Sequence, residues 1–303
     1  TGLCYWHDHS IDKTGSEVKQ SLVDYAKSGG LTRGISLKYA DLSHVDLVNH
    51  HHKKGFDFTY ADFYRANLFG AHLFNINLNK ASLMKAELKN ANLNCANLKE
   101  TNLLGARWKN AKIENIQIGK KLSQEVDAQR SLKENNIKQA IDYFEQAEEV
   151  YRDLRKHSEQ EGIFILSGSF IQKELTMRRM QMPKYSVKRF TSKIVDLFCG
   201  YGEDPLRIVG ISMLMILFCA ILYTFTGLNY QGNFIAYSPE QTSAENVNFF
   251  LSSLYYSVVT FTTLGYGDFT PVGISRAIAA IEAFTGSFTI ALFVVVFVKK
   301  MTR

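Results

Sequence analysis

Over residues 56–120 the chain repeats every five residues: FDFTY, ADFYR, ANLFG, AHLFN, INLNK, ASLMK, AELKN, ANLNC, ANLKE, TNLLG, ARWKN, AKIEN, IQIGK. The third position is apolar in every unit, from Phe58 and Phe63 through the leucines to Trp108, Ile113 and Ile118, and the first is nearly always Ala or another small or apolar residue. Three earlier units, ISLKY, ADLSH and VDLVN, carry the pattern back to Ile35, before residues 50–55 shift the frame. A period of five matches neither the 3.6 of an α-helix nor the 2 of a strand. Two apolar positions per unit with polar residues between them require a chain that turns a corner in each unit and points both inward. That is a solenoid.

The sixteen units over residues 35–120 resemble the pentapeptide-repeat family. The resemblance implies a right-handed quadrilateral β-helix with four units per coil and about four coils, Ala at the inner corner and Leu or Phe stacked in the core. For its role a structural spacer, a ligand surface and a partner surface all remain open. Mimicry of a nucleic acid, as in some members of the family, needs a strongly acidic face. Residues 35–120 hold twelve Lys plus Arg against seven Asp plus Glu, so no nucleic-acid role is expected.

The whole chain is 46% apolar and carries a net charge of +6, but the apolar residues are concentrated. Residues 206–228 have one charge at their start and then none, and residues 273–298 contain only Arg276 and Glu282. At about 1.5 Å per residue each is long enough to cross the ~30 Å hydrocarbon layer of a lipid bilayer. The intervening residues 229–248 have no Lys or Arg, whereas Lys184, Lys188, Arg189, Lys193 and Arg207 lie on one outer flank and Lys299, Lys300 and Arg303 on the other. The positive-inside bias then predicts a multi-pass protein of the cell membrane with both ends in the cytoplasm. Cys4, Cys95, Cys199 and Cys219 show no disulfide spacing, in keeping with a reducing compartment. No charged-then-apolar leader is legible after Thr1, which leaves room for an upstream segment.

Between the two spans, residues 249–261 are apolar and aromatic but too few to cross, so a short helix is predicted to enter the bilayer and stop near its middle. Irregular backbone at that depth is tolerated only against protein or water. The residues that follow are Thr262, Thr263, Leu264, Gly265, Tyr266, Gly267 and Asp268. Alternating glycines allow successive carbonyls to point to one side, and a ring of such carbonyls replaces a cation's hydration shell.

This motif, and residues 206–298 around it, resemble the two-helix pore type of potassium channel. The resemblance implies that Thr263, Leu264, Gly265, Tyr266 and Gly267 form a selectivity filter, flanked by Thr262 and Asp268. The carbonyls of residues 263–266 and the Thr263 hydroxyl would ligate dehydrated K⁺, the permeant ion. It further implies a homotetramer, since one chain supplies one filter strand. Leu264 stands where the family most often has Val. Val259 stands where some relatives place a glutamate bonded to the filter aspartate. Gly286 matches the inner-helix glycine, as a gating bend or as a small residue for helix packing. Glu282, ionisable and within a span, is a second gating candidate, with packing against the pore helix favoured over pore lining. A further Gly-Tyr-Gly at residues 200–202 lacks the threonines and the following span, and reads as an interfacial turn. No ladder of arginines is present, so steep voltage sensing is not expected.

Residues 121–182 read as a helical hairpin with a weak likeness to a tetratricopeptide unit. A capping box is expected from Ser131 to Glu134, an apolar stripe at Ile137, Ala140, Phe144, Ala147, Tyr151 and Leu154, and a second helix over residues 159–180. Packing on the solenoid end and a contact between subunits are both open for it. Cys4, His7 and His9 with His50, His51 or His52 match no standard metal spacing and read as solvated side chains, so no structural metal is predicted. No nucleophile, base and orienter set and no phosphate loop is visible; neither enzymatic activity nor a cofactor is expected. The organisation is thus a cap segment over residues 1–34, a β-helix over 35–120, a helical connector over 121–205, and a two-helix pore domain over 206–298, with pore helix and filter at 249–268. Its partners are the lipid bilayer, further copies of the chain, and a cytoplasmic regulator of unknown identity. A membrane-anchored scaffold with a non-conducting pore is the alternative.

Overall fold

The computed structural model describes residues 2–302 and divides into two compact units, residues 1–190 and 191–303. In the first unit, α1 (Glu17–Lys27) precedes the solenoid, which α2 (Ser123–Lys133), α3 (Ile137–Gln160) and α4 (Phe164–Gln181) follow. The solenoid holds itself together through four columns of parallel bridges, of which Asp57, Asn77, Asn97 and Gln117 form one and Asp62, Ser82 and Asn102 continue another from Ser36. The 20-residue step from Asp57 to Asn77 equals four five-residue units, and the 26-residue step from Ser36 to Asp62 exceeds it by the six residues of the 50–55 segment, which therefore bulges out without breaking the column. Phe58 N donates to Asn77 O at 2.8 Å and Asn77 N to Phe56 O at 3.0 Å, so each coil satisfies the backbone of the next. Asn97 Nδ2 donates to Asn77 Oδ1 at 2.9 Å and Asn77 Nδ2 to Asp57 Oδ1 at 2.8 Å, a side-chain ladder over the same column.

First and third positions are buried: Ala61, Ala66 and Ala71 are fully covered, as are Leu88, Leu93 and Leu98. Thr101 replaces Ala at one first position, and its hydroxyl finds the Leu78 carbonyl at 2.7 Å. The corners are turned at the fifth position, which the repeat pattern alone leaves unmarked. Tyr60, Arg65, Asn75, Lys80, Lys85, Asn90, Cys95 and Glu100 all have φ between 54 and 63°. Left-handed backbone costs a non-glycine residue roughly 1 kcal/mol, and the coil-to-coil hydrogen bonds on either side offset it.

The connector seals the end of the solenoid. His157 Nε2 reaches the Ala111 carbonyl at 2.8 Å, Gln124 Nε2 the Asn102 side chain at 2.7 Å, and Lys173 Nζ the Lys120 carbonyl at 2.6 Å. His157 also stacks on Trp108. These contacts occupy strand-end groups that would otherwise be an open edge. The apolar core runs without interruption from Trp6 to Met177, and the compact unit continues to residue 190. Between α3 and α4, Glu148 accepts from Arg152, Arg178 and Gln181; burial pushes its carboxyl up, but these bonds and the Arg178 charge outweigh that and hold it below the usual range.

In the connector, three features differ from the spacing-based expectation. Ser131 lies in the last turn of α2 and caps nothing; Asn136 Oδ1 accepts from Gln139 N at 3.2 Å and starts α3 instead. Ile137 is 60% exposed and drops out of the buried stripe, being in the first turn, beyond the surface that α3 shares with α4. The second connector helix begins at Phe164, because Gly162 (φ 72°) closes α3 with a left-handed turn.

The second unit begins inside α5 (Val187–Cys199) and continues through a 3₁₀ turn (Gly200–Gly202), α6 (Pro205–Thr226), β1 (Leu228–Tyr230), β2 (Asn233–Ile235), α7 (Ser243–Phe261), β3 (Phe269–Pro271) and α8 (Ile274–Met301). Helices α6 and α8 are long and apolar enough to cross a membrane. Lys299 Nζ bonds Glu203 Oε1 at 2.6 Å, so the start of α6 and the end of α8 lie together. Lys299 and Lys300 fall within α8, and Arg303 lies outside the described residues. The strands form an antiparallel sheet in the order β2-β1-β3, with Leu228 opposite Pro271 and Tyr230 opposite Phe269.

Leu88 is fully buried at a third position. Leu88→Asp in the fragment 1–190 is expected to abolish cooperative melting, because an unpaired carboxylate there costs several kcal/mol, about 3 or more. A soluble variant that melts cooperatively would show that the third position is not interior.

Candidate functional site

Residues 262–268 follow directly from the end of α7, and the helix end determines how they start. Thr263 N donates to Thr260 O and Leu264 N to Val259 O, both at 3.0 Å. These are the two bonds of a Schellman ending, in which the residue after the cap must be left-handed. That residue is Thr263, at φ 57°. A β-branched residue there is strained, and the Thr262 hydroxyl adds a bond to Val258 O at 2.7 Å that fixes the last turn. Beyond the cap, Gly265 (φ 61°) and Gly267 (φ 79°) are again left-handed while Leu264 and Tyr266 are not. The sign of φ thus alternates along residues 263–267.

The Gly-Tyr-Gly at 200–202 provides the contrast. Gly200, Tyr201 and Gly202 are left-handed in succession, at φ 53, 56 and 79°, and wind into a tight turn with Tyr201 bonded to Ser192 at 2.8 Å. The two segments share Gly-Tyr-Gly, but the order of their conformations differs.

After Asp268 the chain enters β3, and pairing with β1 anchors this end; Tyr230 stacks on Phe269 with ring centroids 4.7 Å apart. Asp268 interacts with the Tyr255 hydroxyl on α7, a neighbour the sequence reading did not supply in place of the absent glutamate at Val259. Leu264 and Tyr266 are 59% and 67% exposed on the single chain. A cleft of about 450 Å³ lies beside the segment, lined by Thr263, Gly265, Gly267, Val259 and the small residues Ala279 and Ala283 of α8.

Helix α7 is longer than the predicted 249–261. Thr242 accepts from Glu245 N, while Glu245 accepts from Thr242 N and Oγ1 at 2.9 Å, a capping box that starts the helix at Ser243. The Thr242 amide and hydroxyl hold the Glu245 carboxyl below its usual range. The Thr-x-x-Glu spacing of residues 242–245 was the available signal.

Glu282 is 1% exposed and lies between three helices. Its carboxyl accepts from Tyr223 of α6 at 2.6 Å and is bonded to Ser257 of α7, whose hydroxyl also faces Ile216 O at 2.8 Å. One turn further along both helices, Gly286 packs directly on the Phe261 carbonyl, and an added Cβ would collide with that oxygen. The pairs Ser257 with Glu282 and Phe261 with Gly286 share the same offset of 25 residues, so α7 and α8 run side by side in the same direction here. Among the described residues, His9 and His50–52 do not gather with Cys4 into a metal site; His50 pairs with Asp46 at 3.3 Å. His7 is not freely solvated but bonded to Cys4.

Comparison with known proteins bears on this geometry. Residues 210–303 match the family model described as ion channel, and residues 61–94 match pentapeptide repeats in eight copies. The chain joins a two-helix ion-channel domain to pentapeptide repeats. Protein LctB of Bacillus caldotenax is 36% identical over 80 residues and that of Geobacillus stearothermophilus 38% over 80; each alignment covers 26% of this chain and 59% of the relative. The chain therefore spans 59% of the length of the curated relatives it matches. Among solved structures, the pentapeptide repeat protein alr5209 of Nostoc Pcc 7120 is 34% identical, covering 31% of this chain and 74% of that one at a TM-score of 0.23. Rfr23 of Cyanothece 51142 is 27% identical, covering 28% and 61% at a TM-score of 0.24.

In the ion-channel domain, Glu282→Gln keeps an amide facing Ser257 and Tyr223 in nearly the same volume, and is expected to melt close to the parent. Glu282→Ala leaves the buried Tyr223 hydroxyl without this acceptor, while Ser257 keeps the Ile216 carbonyl, and should cost about 1–3 kcal/mol. Thermal unfolding in detergent distinguishes the two; equal loss for both would show that hydrogen bonding at Glu282 does not join the helices.

Proposed function

We propose that the chain forms a homotetrameric K⁺-selective channel whose filter is built from Thr263, Leu264, Gly265, Tyr266 and Gly267 of each copy, flanked by Thr262 and Asp268. The observation that carries this reading is the alternation of φ along residues 263–267, directly after a capped helix and between two apolar helices. A row of carbonyls on one side of one strand coordinates little by itself. Four such rows around an axis form cages that replace the hydration shell of a cation. The negative end of the α7 dipole adjoins the same segment and favours positive charge.

The parallel run of α7 and α8 supports a re-entrant path. Glu282 and Gly286 lie 8 and 12 residues into α8, roughly 12–18 Å below its start. The chain leaving Phe261 must climb that distance back before α8 begins. On this reading α7 enters the bilayer and residues 262–268 return toward the face where β1, β2 and β3 lie. The basic flanks of the spans assign the chain ends to the cytoplasm. The first unit is then a cytoplasmic, right-handed quadrilateral β-helix with a helical cap. We assign Gly286 to helix packing rather than to a bend, since its contact with Phe261 leaves no space for a side chain and α8 continues through it.

Reconstituted vesicles should pass K⁺ and exclude Na⁺, and Gly265→Ala should abolish that preference. The cost there is conformational: a Cβ at Gly265 meets nothing within 4 Å, but φ 61° opposes it. Unchanged preference in the variant would overturn the filter assignment, and no flux in the parent would favour a non-conducting scaffold. Control of the gate is assigned to tension on residues 184–207, with the cytoplasmic unit outside the conduction path. Deleting residues 1–182 should leave K⁺ over Na⁺ preference unchanged and alter open probability in single-channel recordings. Lost selectivity in an assembled tetramer would place the unit in the permeation path, and an unmoved open probability would reduce it to a tether.

A further inference from the structure

The segment ahead of the first coil holds a chemical centre separate from the filter. The chain turns just after Cys4, with His7 N and Asp8 N donating to the Cys4 carbonyl at 3.0 and 3.1 Å. The buried Trp6 fastens this turn to the solenoid, its carbonyl accepting from Ser36 N at 2.9 Å. The turn sets His7 Nδ1 2.9 Å from Cys4 Sγ. The opposite ring nitrogen, Nε2, lies 2.9 Å from the Arg33 carbonyl. A carbonyl only accepts, so Nε2 carries a hydrogen and the neutral ring presents the Nδ1 lone pair to the thiol. When that proton moves to Nδ1, both ring N–H groups have acceptors and the sulfur is a thiolate beside an imidazolium. Lys13 adds positive charge nearby; it is 2% exposed and its ammonium donates to Asp8 O at 2.7 Å.

We propose that Cys4, with His7 as its base and the Arg33 carbonyl as orienter, is an activated thiol that reacts with soft electrophiles and is oxidised by hydroperoxides. The His7 side-chain bond, helped by the Trp6 and His7 amides, draws the Cys4 thiol below its ordinary range, and the bond to Cys4 raises His7. Access distinguishes it from the other thiols: Cys4 is exposed, Cys95 half-buried, and Cys199 and Cys219 buried. In the oxidation, the thiolate attacks the terminal oxygen of the hydroperoxide. An S–O bond forms and the O–O bond breaks. Sulfur loses two electrons, becoming a sulfenic acid, and the departing alkoxide or hydroxide takes the proton from His7 Nδ1 and leaves as an alcohol or water.

The experiment uses the full chain in detergent micelles with limiting iodoacetamide over a pH series, followed by peptide mass spectrometry of all four cysteines. Cys4 should be alkylated first, and its rate should already be on a plateau where an ordinary thiol, with its pKa of about 8.5, is still mostly protonated. His7→Gln keeps a donor for the Arg33 carbonyl and should slow Cys4 about tenfold near pH 6.5, moving the inflection up to the ordinary range. A parent profile that rises only through the ordinary thiol range overturns the proposal without recourse to any variant. Hydrogen peroxide followed by dimedone should label Cys4; alkylation at Cys4 with no dimedone adduct would overturn its oxidation by hydroperoxides.

Discussion

A backbone amide or carbonyl that cannot reach water must find a partner in the chain, and both units are organised around that demand. In the solenoid each coil supplies it for the next, which is why the pattern tolerates Lys, Asn, Glu or Arg on its surface as long as the first and third positions stay small and apolar. The debt is deferred to the two ends. At the far end it is settled by side chains of the connector reaching the carbonyls of residues 101, 111 and 120. In the second unit the same demand restricts the apolar region to helices, and makes the one irregular stretch, residues 262–268, depend on a helix cap at one side and a strand pairing at the other.

One backbone conformation serves three purposes in this chain, and its spacing decides which. Left-handed residues every fifth position turn the corners of a solenoid. Three in succession at Gly200, Tyr201 and Gly202 wind a tight turn between α5 and α6. Alternating left-handed residues at Thr263, Gly265 and Gly267 lead from the end of α7 to β3. Glycine content alone predicts none of these. Most of the solenoid corners are not glycine, and the strain they carry is tolerated because hydrogen bonds on both sides leave the backbone no alternative.

The sequence was most legible where a pattern repeats or where one residue type dominates. Third-position Leu and first-position Ala marked the coils, long uncharged runs marked α6 and α8, and the Thr and Gly spacing marked residues 262–268. Helix ends were less so. Ser131 has the composition of a cap but sits in the last turn of α2, because Asn136 and the left-handed Asn135 make the better start five residues later. Gly162 and the Thr242 to Glu245 box were readable signals, outweighed by hydrophobic spacing. The strands of three residues are too short to show alternation. The Cys4 and His7 pair depends on Arg33, 26 residues from His7, and no local pattern announces a contact of that kind.

The polar residues buried among the apolar helices explain how so short a strand is held in position. Between lipid-facing helices there is no hydrophobic gain to fix one against another, so small residues and hydrogen bonds must set the register. Glu282 ties α8 to Tyr223 of α6 and Ser257 of α7, and Ser275 ties the start of α8 to Thr226 and the Gly227 carbonyl at 2.8 and 2.6 Å. With two levels fixed, α8 can neither slide nor rotate against α6, and the contact of Gly286 with Phe261 then determines where α7 ends. The end of α7 is the start of residues 262–268. Residues buried between the helices therefore determine where the segment 262–268 begins, and a shift of even one helical residue would move that start by about 1.5 Å.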